Sequence, residues 1–183
     1  LIVKQTAEVM ATEGWTRLGE SITAHRSILR ARSSVLSNLC DEASPGADIE
    51  VGEITAAVFR EVMRFAYGDE LSSPDALSTA DKTRTLLKSA DRFGITRLKQ
   101  LAEIELATQH LSVESAADPL LLADSHSCPQ LKENATALIV KQTAEVMATE
   151  GWTRLGESIT AHRSILRARS SVLSNLCDEA SPG

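Results

Sequence analysis

Cysteine is scarce in this sequence, which contains three in 183 residues. The three are Cys40, Cys128 and Cys177, and Cys177 is a copy of Cys40 within a duplicated segment. Two unique, widely separated cysteines do not provide the disulfide framework on which many small secreted domains depend. We therefore expect a reduced, intracellular protein of the nucleus or cytoplasm.

Long apolar runs and an excess of positive charge are also missing. No stretch approaches the roughly 18 apolar residues that a membrane-spanning helix needs. Lys4, Glu8 and Glu13 interrupt the N-terminus where a signal peptide would be apolar. The chain carries 19 Lys and Arg against 25 Asp and Glu, a net charge of −6. Because nucleic-acid binding depends on a basic surface, we expect neither nucleic acid nor membrane as a partner.

A duplication dominates the chain. Residues 1–46 recur without a substitution as residues 138–183, so the chain holds one 137-residue unit and the opening of a second. Evolved repeats normally diverge. A very recent tandem duplication, an engineered concatemer and a read-through of a tandem DNA assembly are therefore the origins left open. Because the chain starts at Leu1 and stops at Gly183 in mid-pattern, we expect a piece of a longer reading frame.

Most of one unit has the periodicity of amphipathic helices. Apolar residues at helical spacing predict a helix over Thr55–Ala66 and a second one that begins near Leu86. Gly94 follows the second helix, and glycine adopts the left-handed conformation at a helix end most easily. A third helix is predicted from Ile95, so that a tight helical hairpin results.

Two further helices are predicted in the second half of the unit. Ser112 is a candidate N-cap for a helix over Ser112–Asp124, and Pro119 inside it predicts a kink at a cost of about 3 kcal/mol. Ser127–Gln130 has the spacing of a capping box. The helix that follows is expected to run toward Met147 and to end at Gly151.

Strand patterns are few and short. Glu20–Ala24 and Asp48–Val51 alternate weakly between apolar and polar residues, and Ser72–Ser78 is predicted as a loop. The predicted helices follow one another with short breaks. The predicted fold class is therefore α+β and helix-dominated, with helical hairpins and a small, incomplete β-sheet.

Four stretches follow one another in a recognisable order: Ile22–Leu36 (ITAHRSILRARSSVL), Val58–Gly68 (VFREVMRFAYG), Leu86–Lys99 (LLKSADRFGITRLK) and Leu111–Trp152. The first three resemble the strand-turn-helix, the middle helix and the closing hairpin of BTB/POZ domains. The fourth resembles the start of a BACK extension, most of all that of the speckle-type POZ protein (MATH-BTB) group. The signature positions, for which the resemblance implies structural roles, are His25, Arg26, Leu29, Arg32, Ser33, Ala90, Asp91, Leu98, Ala123, Asp124 and Trp152.

The resemblance implies a domain order with one departure. Residues 1–18 would be a duplicated BACK tail helix, 19–108 a BTB/POZ-like domain, 109–155 partial BACK helices and 156–183 the start of a second BTB copy identical to 19–46. Family members begin with a strand hairpinned to the one that is Glu20–Ala24 here, and Ala7–Leu18 takes its place. We therefore expect an unpaired strand and a weak sheet.

What the resemblance implies for function is a scaffold rather than a catalyst. Proteins of this group dimerise through the BTB domain and recruit a cullin into a RING-type ubiquitin ligase, while a MATH domain selects the substrate. No MATH-like stretch is present in this sequence. The candidate cullin-binding residues are Leu39, Cys40, Glu42, Phe65 and Tyr67. The alternative is that Leu39 and Cys40 are simple packing residues.

Catalysis has no support in the sequence. The unique histidines are His25, His110 and His126, and none has the spacing of a triad or a metal site with a cysteine or carboxylate. His126 and Cys128 form one short pair without a second. We therefore expect no catalytic residue, metal, cofactor or small-molecule substrate, and a structural role for His25.

Several features allow two interpretations. Arg26, Arg30 and Arg32 are either a patch for a phosphate or an acidic partner or a solvated helix face. Two functional hypotheses remain for the whole chain. One is an interaction adaptor that links a ubiquitin ligase to something outside this fragment, with self-association expected only as non-specific contact between uncovered apolar faces. The other is a structural array of stacked 137-residue units. A translated fragment without a biological role is the third possibility.

Overall fold

The structure is a computed structural model, and it describes residues 2–6, 21–44 and 47–155. The chain divides into two compact units, Leu1–Leu106 and Ala107–Gly183. Within the described residues, helices far outweigh strands, which confirms the predicted helix-dominated α+β class.

Unit 1 contains a small sheet of three strands, β1 (Ile2–Thr6), β2 (Ser21–His25) and β3 (Ile49–Glu50), in the order β2-β1-β3. The central strand β1 runs parallel to β2 and antiparallel to β3. Both strands predicted from the pattern are therefore present within one or two residues of their expected bounds.

The helix predicted for residues 1–18 is wrong where the structure describes it, because Ile2–Thr6 is a strand. Residues 7–18 lie outside the described residues. Ile2, Val3 and Thr6 are β-branched, which favours the extended backbone wherever a partner strand is available. Since β1 supplies that partner, the expectation of an unpaired β2 is wrong as well.

Five helices complete unit 1 within the described residues. Thr55 caps the helix α3 (Ala56–Gly68) by accepting a hydrogen bond from the Val58 N–H at 3.4 Å. Thr79 caps the helix α4 (Ala80–Arg92) in the same way. Gly94 has a φ of +66° and ends α4, so the predicted hairpin is confirmed. The loop predicted at Ser72–Ser78 includes a short 3-10 helix over Pro74–Leu77. The helices are α1 (Arg26–Arg32), α2 (Ser34–Glu42), α3 (Ala56–Gly68), α4 (Ala80–Arg92) and α5 (Thr96–Gln109).

The core of unit 1 lies among these helices. Phe59 of α3 and Phe93 after α4 meet edge to face with ring centroids 5.3 Å apart, a favoured aromatic geometry. Around them pack fully buried aliphatic side chains from α1, α2, α4 and α5. These are Leu29, Leu36, Leu87, Leu98 and Leu106. The apolar stripes predicted for the helices therefore face one another.

Unit 2 is helical within its described residues, with α6 (Ala117–Ser125), α7 (Pro129–Lys141), α8 (Thr143–Met147) and a helical segment over residues 150–155. Its core is a cluster of buried side chains. The cluster consists of Ala116, Ala117, Leu120, Ala135, Ile139, Val146, Trp152 and Leu155.

The kink predicted at Pro119 is wrong, because α6 begins at Ala117 rather than after Ser112. Pro119 therefore lies in the first turn, where a backbone N–H has no helical partner to lose. Ser112 instead exchanges hydrogen bonds with Ser115 across the turn that precedes α6.

The ends predicted for the later helices also need correction. The N-cap of α7 is Cys128, which makes no side-chain cap bond, and Pro129 occupies the first helical position, so Ser127 does not cap this helix. The predicted long helix is divided at Gln142 into α7 and α8. Gly151 lies inside a helical segment rather than at a helix end.

Candidate functional site

The junction between α1 and α2 is built around Ser33. Its backbone is extended, with φ −146° and ψ 119°, so α1 ends there and α2 begins at the next residue. The Ser33 Oγ accepts a hydrogen bond from the Leu36 N–H at 3.0 Å and donates one to the Phe93 carbonyl oxygen. Because Ser33 is only 2% exposed, this hydroxyl fixes the α1–α2 junction against the α4–α5 turn.

Arg26 and Arg30 of α1 hold the end of α2. The Arg26 guanidinium donates to the carbonyl oxygens of Cys40 and Ala43, and Arg30 forms an ion pair with Asp41. A cation at a helix C-terminus is favourable because the last carbonyl groups carry partial negative charge. These two arginines are therefore used within the fold.

Arg32 has a partner on another helix. Asp69 follows α3 in the left-handed conformation, with φ +57°, and its N–H donates to the Phe65 carbonyl oxygen at 2.8 Å. The Asp69 carboxylate lies 3.0 Å from Arg32 and 3.2 Å from Arg97. Arg30 and Arg32 thus pair with aspartates of the chain itself, and these contacts do not decide between a patch for an external partner and a solvated helix face.

His25 and Tyr67 form a hydrogen-bonded pair at the surface of unit 1. Tyr67 Oη accepts a hydrogen bond from the His25 backbone N–H at 2.6 Å and lies 2.9 Å from His25 Nδ1. His25 occupies the N-cap position of α1, but its ring makes no cap bond. It orients the tyrosine instead, a structural role of a kind that the sequence did not indicate.

Two aspartates of the signature join neighbouring helices. Asp91 at the end of α4 binds Lys99 of α5 at 2.6 Å, and Asp124 at the end of α6 binds Lys132 of α7 at 2.7 Å. Each aspartate thus forms an ion pair that closes its hairpin.

The other signature positions are core residues. They are buried in the unit to which each belongs. These side chains are Leu29, Ala90, Leu98, Ala123 and Trp152.

The five candidate cullin-binding residues separate into buried and exposed groups. Cys40 is 0% exposed and Phe65 4% exposed, so both pack in the core and do not face a partner. Burial raises the pKa of the Cys40 thiol, and the nearby Arg26 and Arg30 oppose that shift. Leu39 is half-buried and Glu42 is exposed. Tyr67 is 40% exposed.

A groove in unit 1 was not indicated by the sequence. It measures about 480 Å³ and lies between α3, the 3-10 helix and α4. Val58 and Leu86 contribute apolar surface, and Glu61 and Asp81 contribute carboxylates. The Glu61 carboxylate accepts a hydrogen bond from the Ser72 N–H at 2.9 Å, which holds the loop beside the groove.

Neither a metal cluster nor a membrane-spanning helix is present in the described part of the chain. No group of three or more His, Cys, Asp or Glu residues there has the arrangement of a metal site. None of the helices described is both long enough and apolar enough to cross a bilayer.

The contacts of unit 1 define a helical scaffold that presents Tyr67 and the end of α2 at its surface. The BTB/POZ domain family matches residues 9–110, more than half of the chain. This chain therefore belongs to the BTB/POZ domain family. BTB domains are protein–protein interaction modules, and cullin binding and dimerisation are among the interactions they mediate. The match ends close to the boundary of unit 1 and does not include α6–α8.

Proposed function

We propose that this chain is an adaptor of a cullin-RING ubiquitin ligase, and that Tyr67, Glu42 and Leu39 contact the cullin. The observation that carries the proposal is the presentation of Tyr67 at the end of α3 in a BTB domain. Two hydrogen bonds to His25 hold its hydroxyl group, so the ring has little rotamer freedom to lose on binding. Aromatic side chains fixed in this way are frequent hot spots of protein interfaces.

Charge at the end of α2 supports the same surface. Asp41 forms an ion pair with Arg30, whereas Glu42 is exposed and has no ion-pair partner among the described residues. An exposed carboxylate near the half-buried Leu39 combines a charged and an apolar group, which suits the rim of an interface. Glu42 thus offers a contact for a basic group of the partner.

We further propose that residues 109–155 are a partial BACK segment of the speckle-type POZ protein kind, that 19–108 form the BTB domain and that 156–183 begin a second copy. The supporting observation is that α6–α8 form their own buried cluster directly after the BTB match. Cys40 and Cys128 are both free thiols, as in proteins of the nucleus or cytoplasm.

The test is a pull-down of the full chain with the N-terminal domain of a cullin. Tyr67→Ala is expected to lower the affinity roughly thirtyfold, because an interface tyrosine contributes about 2 kcal/mol. Glu42→Lys is expected to lower it severalfold. Tyr67→Phe keeps the ring but removes the hydrogen bonds to His25 that restrict it, so its loss of affinity is expected to lie between those of the wild type and Tyr67→Ala. Glu133→Lys, at an exposed position of α7, is the matched charge-reversal control. Equal binding by Glu42→Lys, Tyr67→Ala and this control would contradict the proposal.

A structural array of repeated units is the second candidate function. The observation in its favour is the recurrence of residues 1–46 as 138–183 without substitution. An array requires long assemblies at ordinary protein concentration and no cullin. Light scattering of the purified chain at low concentration therefore distinguishes it from the adaptor.

A further inference from the structure

The helices α1 and α2 dock on a defined surface of unit 1. Ser33 donates to the Phe93 carbonyl oxygen, and Arg32 pairs with Asp69 at 3.0 Å. We call the surface that receives these helices the acceptor surface, and it consists of α3, α4 and α5 with Tyr67, Asp69 and Phe93. We call residues 21–46, which contain β2, α1 and α2, the first copy.

The first copy also contains three apolar side chains that are fully buried in the folded unit. Leu29, Leu36 and Cys40 are each 2% exposed or less. The polar contacts at Ser33 and Arg32 set its position, while burial of these three side chains provides most of the free energy of docking. The acceptor surface thus fits the sequence of the first copy.

The chain contains that sequence twice. Residues 158–183, the second copy, are identical to residues 21–46, and Leu166, Leu173 and Cys177 correspond to the three buried side chains. Residues 47–106, which form the acceptor surface, occur once. Each molecule therefore carries two segments that fit one surface.

We propose that the second copy of one molecule docks on the acceptor surface of another molecule and displaces the first copy there. Because the two sequences are identical, either copy makes the same interactions with the acceptor surface, and the exchange is opposed only by connectivity. The strand β1 does not take part in the exchange. The duplicate of its sequence, Ile139–Thr143, covers the last residues of α7, Gln142 and the first residue of α8 in unit 2. Such head-to-tail docking links molecules into open chains.

Connectivity decides when the exchange occurs. The first copy is joined to α3 by residues 43–55, a short connection that keeps it at an effective concentration on the order of millimolar. The resident copy therefore prevails in dilute solution. Refolding at high concentration removes this advantage, because the copies of neighbouring molecules then compete on similar terms.

The experiment uses the full chain, refolded from urea at micromolar and at near-millimolar concentration. Leu36→Asp disables the first copy and Leu173→Asp disables the second, because a carboxylate in that buried position is strongly unfavourable. Light scattering after size exclusion gives the assembly size, and circular dichroism gives the melting temperature. Leu173→Met is the conservative control, which should behave like the wild type.

We expect the wild type to form dimers and longer chains only after concentrated refolding. Leu173→Asp should remain monomeric at both concentrations with an unchanged melting temperature. Leu36→Asp should assemble at the lower concentration, because its unit 1 folds only with a second copy from another molecule. The double variant should lose the cooperative transition of unit 1.

Four outcomes would overturn the proposal. A wild type that is monomeric after concentrated refolding shows that no exchange takes place. Leu173→Asp assemblies as large as those of the wild type show that another surface associates. If the Leu36→Asp variant melts like the double variant, the second copy does not dock. If Leu36→Asp is a folded monomer, the exchange takes place within one molecule and not between molecules. None of these outcomes depends on cullin binding.

Discussion

The α4–α5 hairpin of unit 1 and the α6–α7 hairpin of unit 2 share one plan. The pairs Ala90-Asp91 and Leu98-Lys99 of the first recur 33 positions later as Ala123-Asp124 and Leu131-Lys132. In each hairpin the aspartate binds the lysine, at 2.6 Å and 2.7 Å, and the leucine is fully buried. The two turns match as well. The Ile95 N–H donates a hydrogen bond of 2.9 Å to the Ala90 carbonyl oxygen, and the Cys128 N–H donates one of 2.9 Å to the Ala123 carbonyl oxygen.

The hairpins differ in the residue that makes the turn. Gly94 and Ser127 occupy equivalent positions with φ of +66° and +52°. The left-handed conformation costs glycine nothing, but it costs serine about 1 kcal/mol. The same left-handed turn therefore forms with glycine in one hairpin and with serine in the other. We attribute the turn geometry to what the two hairpins share, which is the packing of the helices and the ion pair. The hairpin of unit 1 also supports α2, through the bond from Ser33 to Phe93.

The largest predicted effects come from the two buried leucines. Leu98→Ala and Leu131→Ala should each lower the free energy of unfolding by about 2–5 kcal/mol, because each leaves a cavity in a packed core. Each substitution should lower the free energy of unfolding only of the unit that contains the substituted residue. Urea unfolding followed by Trp152 fluorescence, in a Trp15→Phe background, reports on unit 2. An equal shift of the Trp152 transition by both variants would show that the units unfold together.

The hydrogen bond from Ser33 to the Phe93 carbonyl oxygen links α2 to the hairpin of unit 1, and its loss should have the next largest effect. Ser33→Ala removes the cap of α2 and leaves the Phe93 carbonyl oxygen and the Leu36 N–H buried without their partner, at a cost of about 2–3 kcal/mol. Ser112→Ala, at the exposed turn before α6, should cost less than about 1 kcal/mol. Thermal unfolding by circular dichroism measures both. Equal losses would mean that the bond to Phe93 adds nothing.

The turn residues provide opposite tests. Gly94→Ala should destabilise by about 1 kcal/mol, because alanine resists a positive φ, whereas Ser127→Gly should stabilise by up to about 1 kcal/mol as the strain is released. A Cβ at position 94 would lie 3.5 Å from Ser34 Oγ, an ordinary contact, so crowding does not confuse the result. If Ser127→Gly lowers the melting temperature, the serine side chain stabilises the turn by more than its backbone strain costs.

The smallest predicted effects are those of the ion pairs. Lys99→Met and Lys132→Met should each lower stability by about 0.5–1 kcal/mol, because both pairs are partly exposed to solvent. The difference from the wild type should shrink in high salt, which screens exposed charges. Chemical unfolding at low and high salt measures it. A loss that is unchanged by salt would indicate that the aliphatic stem of the lysine, rather than its charge, stabilises the hairpin.

Local patterns predicted those elements that depend on nearby residues. The α4–α5 hairpin followed from apolar spacing and Gly94, and β2 and β3 followed from short alternating runs. The helix starts in unit 2 were less accurate. Proline is acceptable in a first turn and disruptive in a helix interior, so the effect of Pro119 could not be inferred until the start of α6 was known.

The candidate site required contacts between distant residues. The arginine cluster was visible in the sequence, but the partner of Arg32 is Asp69, which belongs to a different helix. The apolar spacing of α3 is consistent with a buried Phe65, and packing was one interpretation of Cys40, but no local pattern showed that Tyr67 is exposed and bound to His25. These properties depend on how α1, α2 and α3 pack.

The duplication shows most clearly where sequence stops and tertiary structure decides. The five residues IVKQT form the strand β1 at Ile2–Thr6, whereas at Ile139–Thr143 they span the end of α7 and the start of α8. Differences in intrinsic preference are below about 1 kcal/mol per residue. Full burial of one isoleucine contributes about 1.5–3 kcal/mol, and Ile139 is buried in the cluster of unit 2. The sequence by itself determined the family, the helix-rich composition and the hairpins; the conformation of IVKQT depends on tertiary contacts, because an available strand edge or core outweighs the local preference of so short a segment.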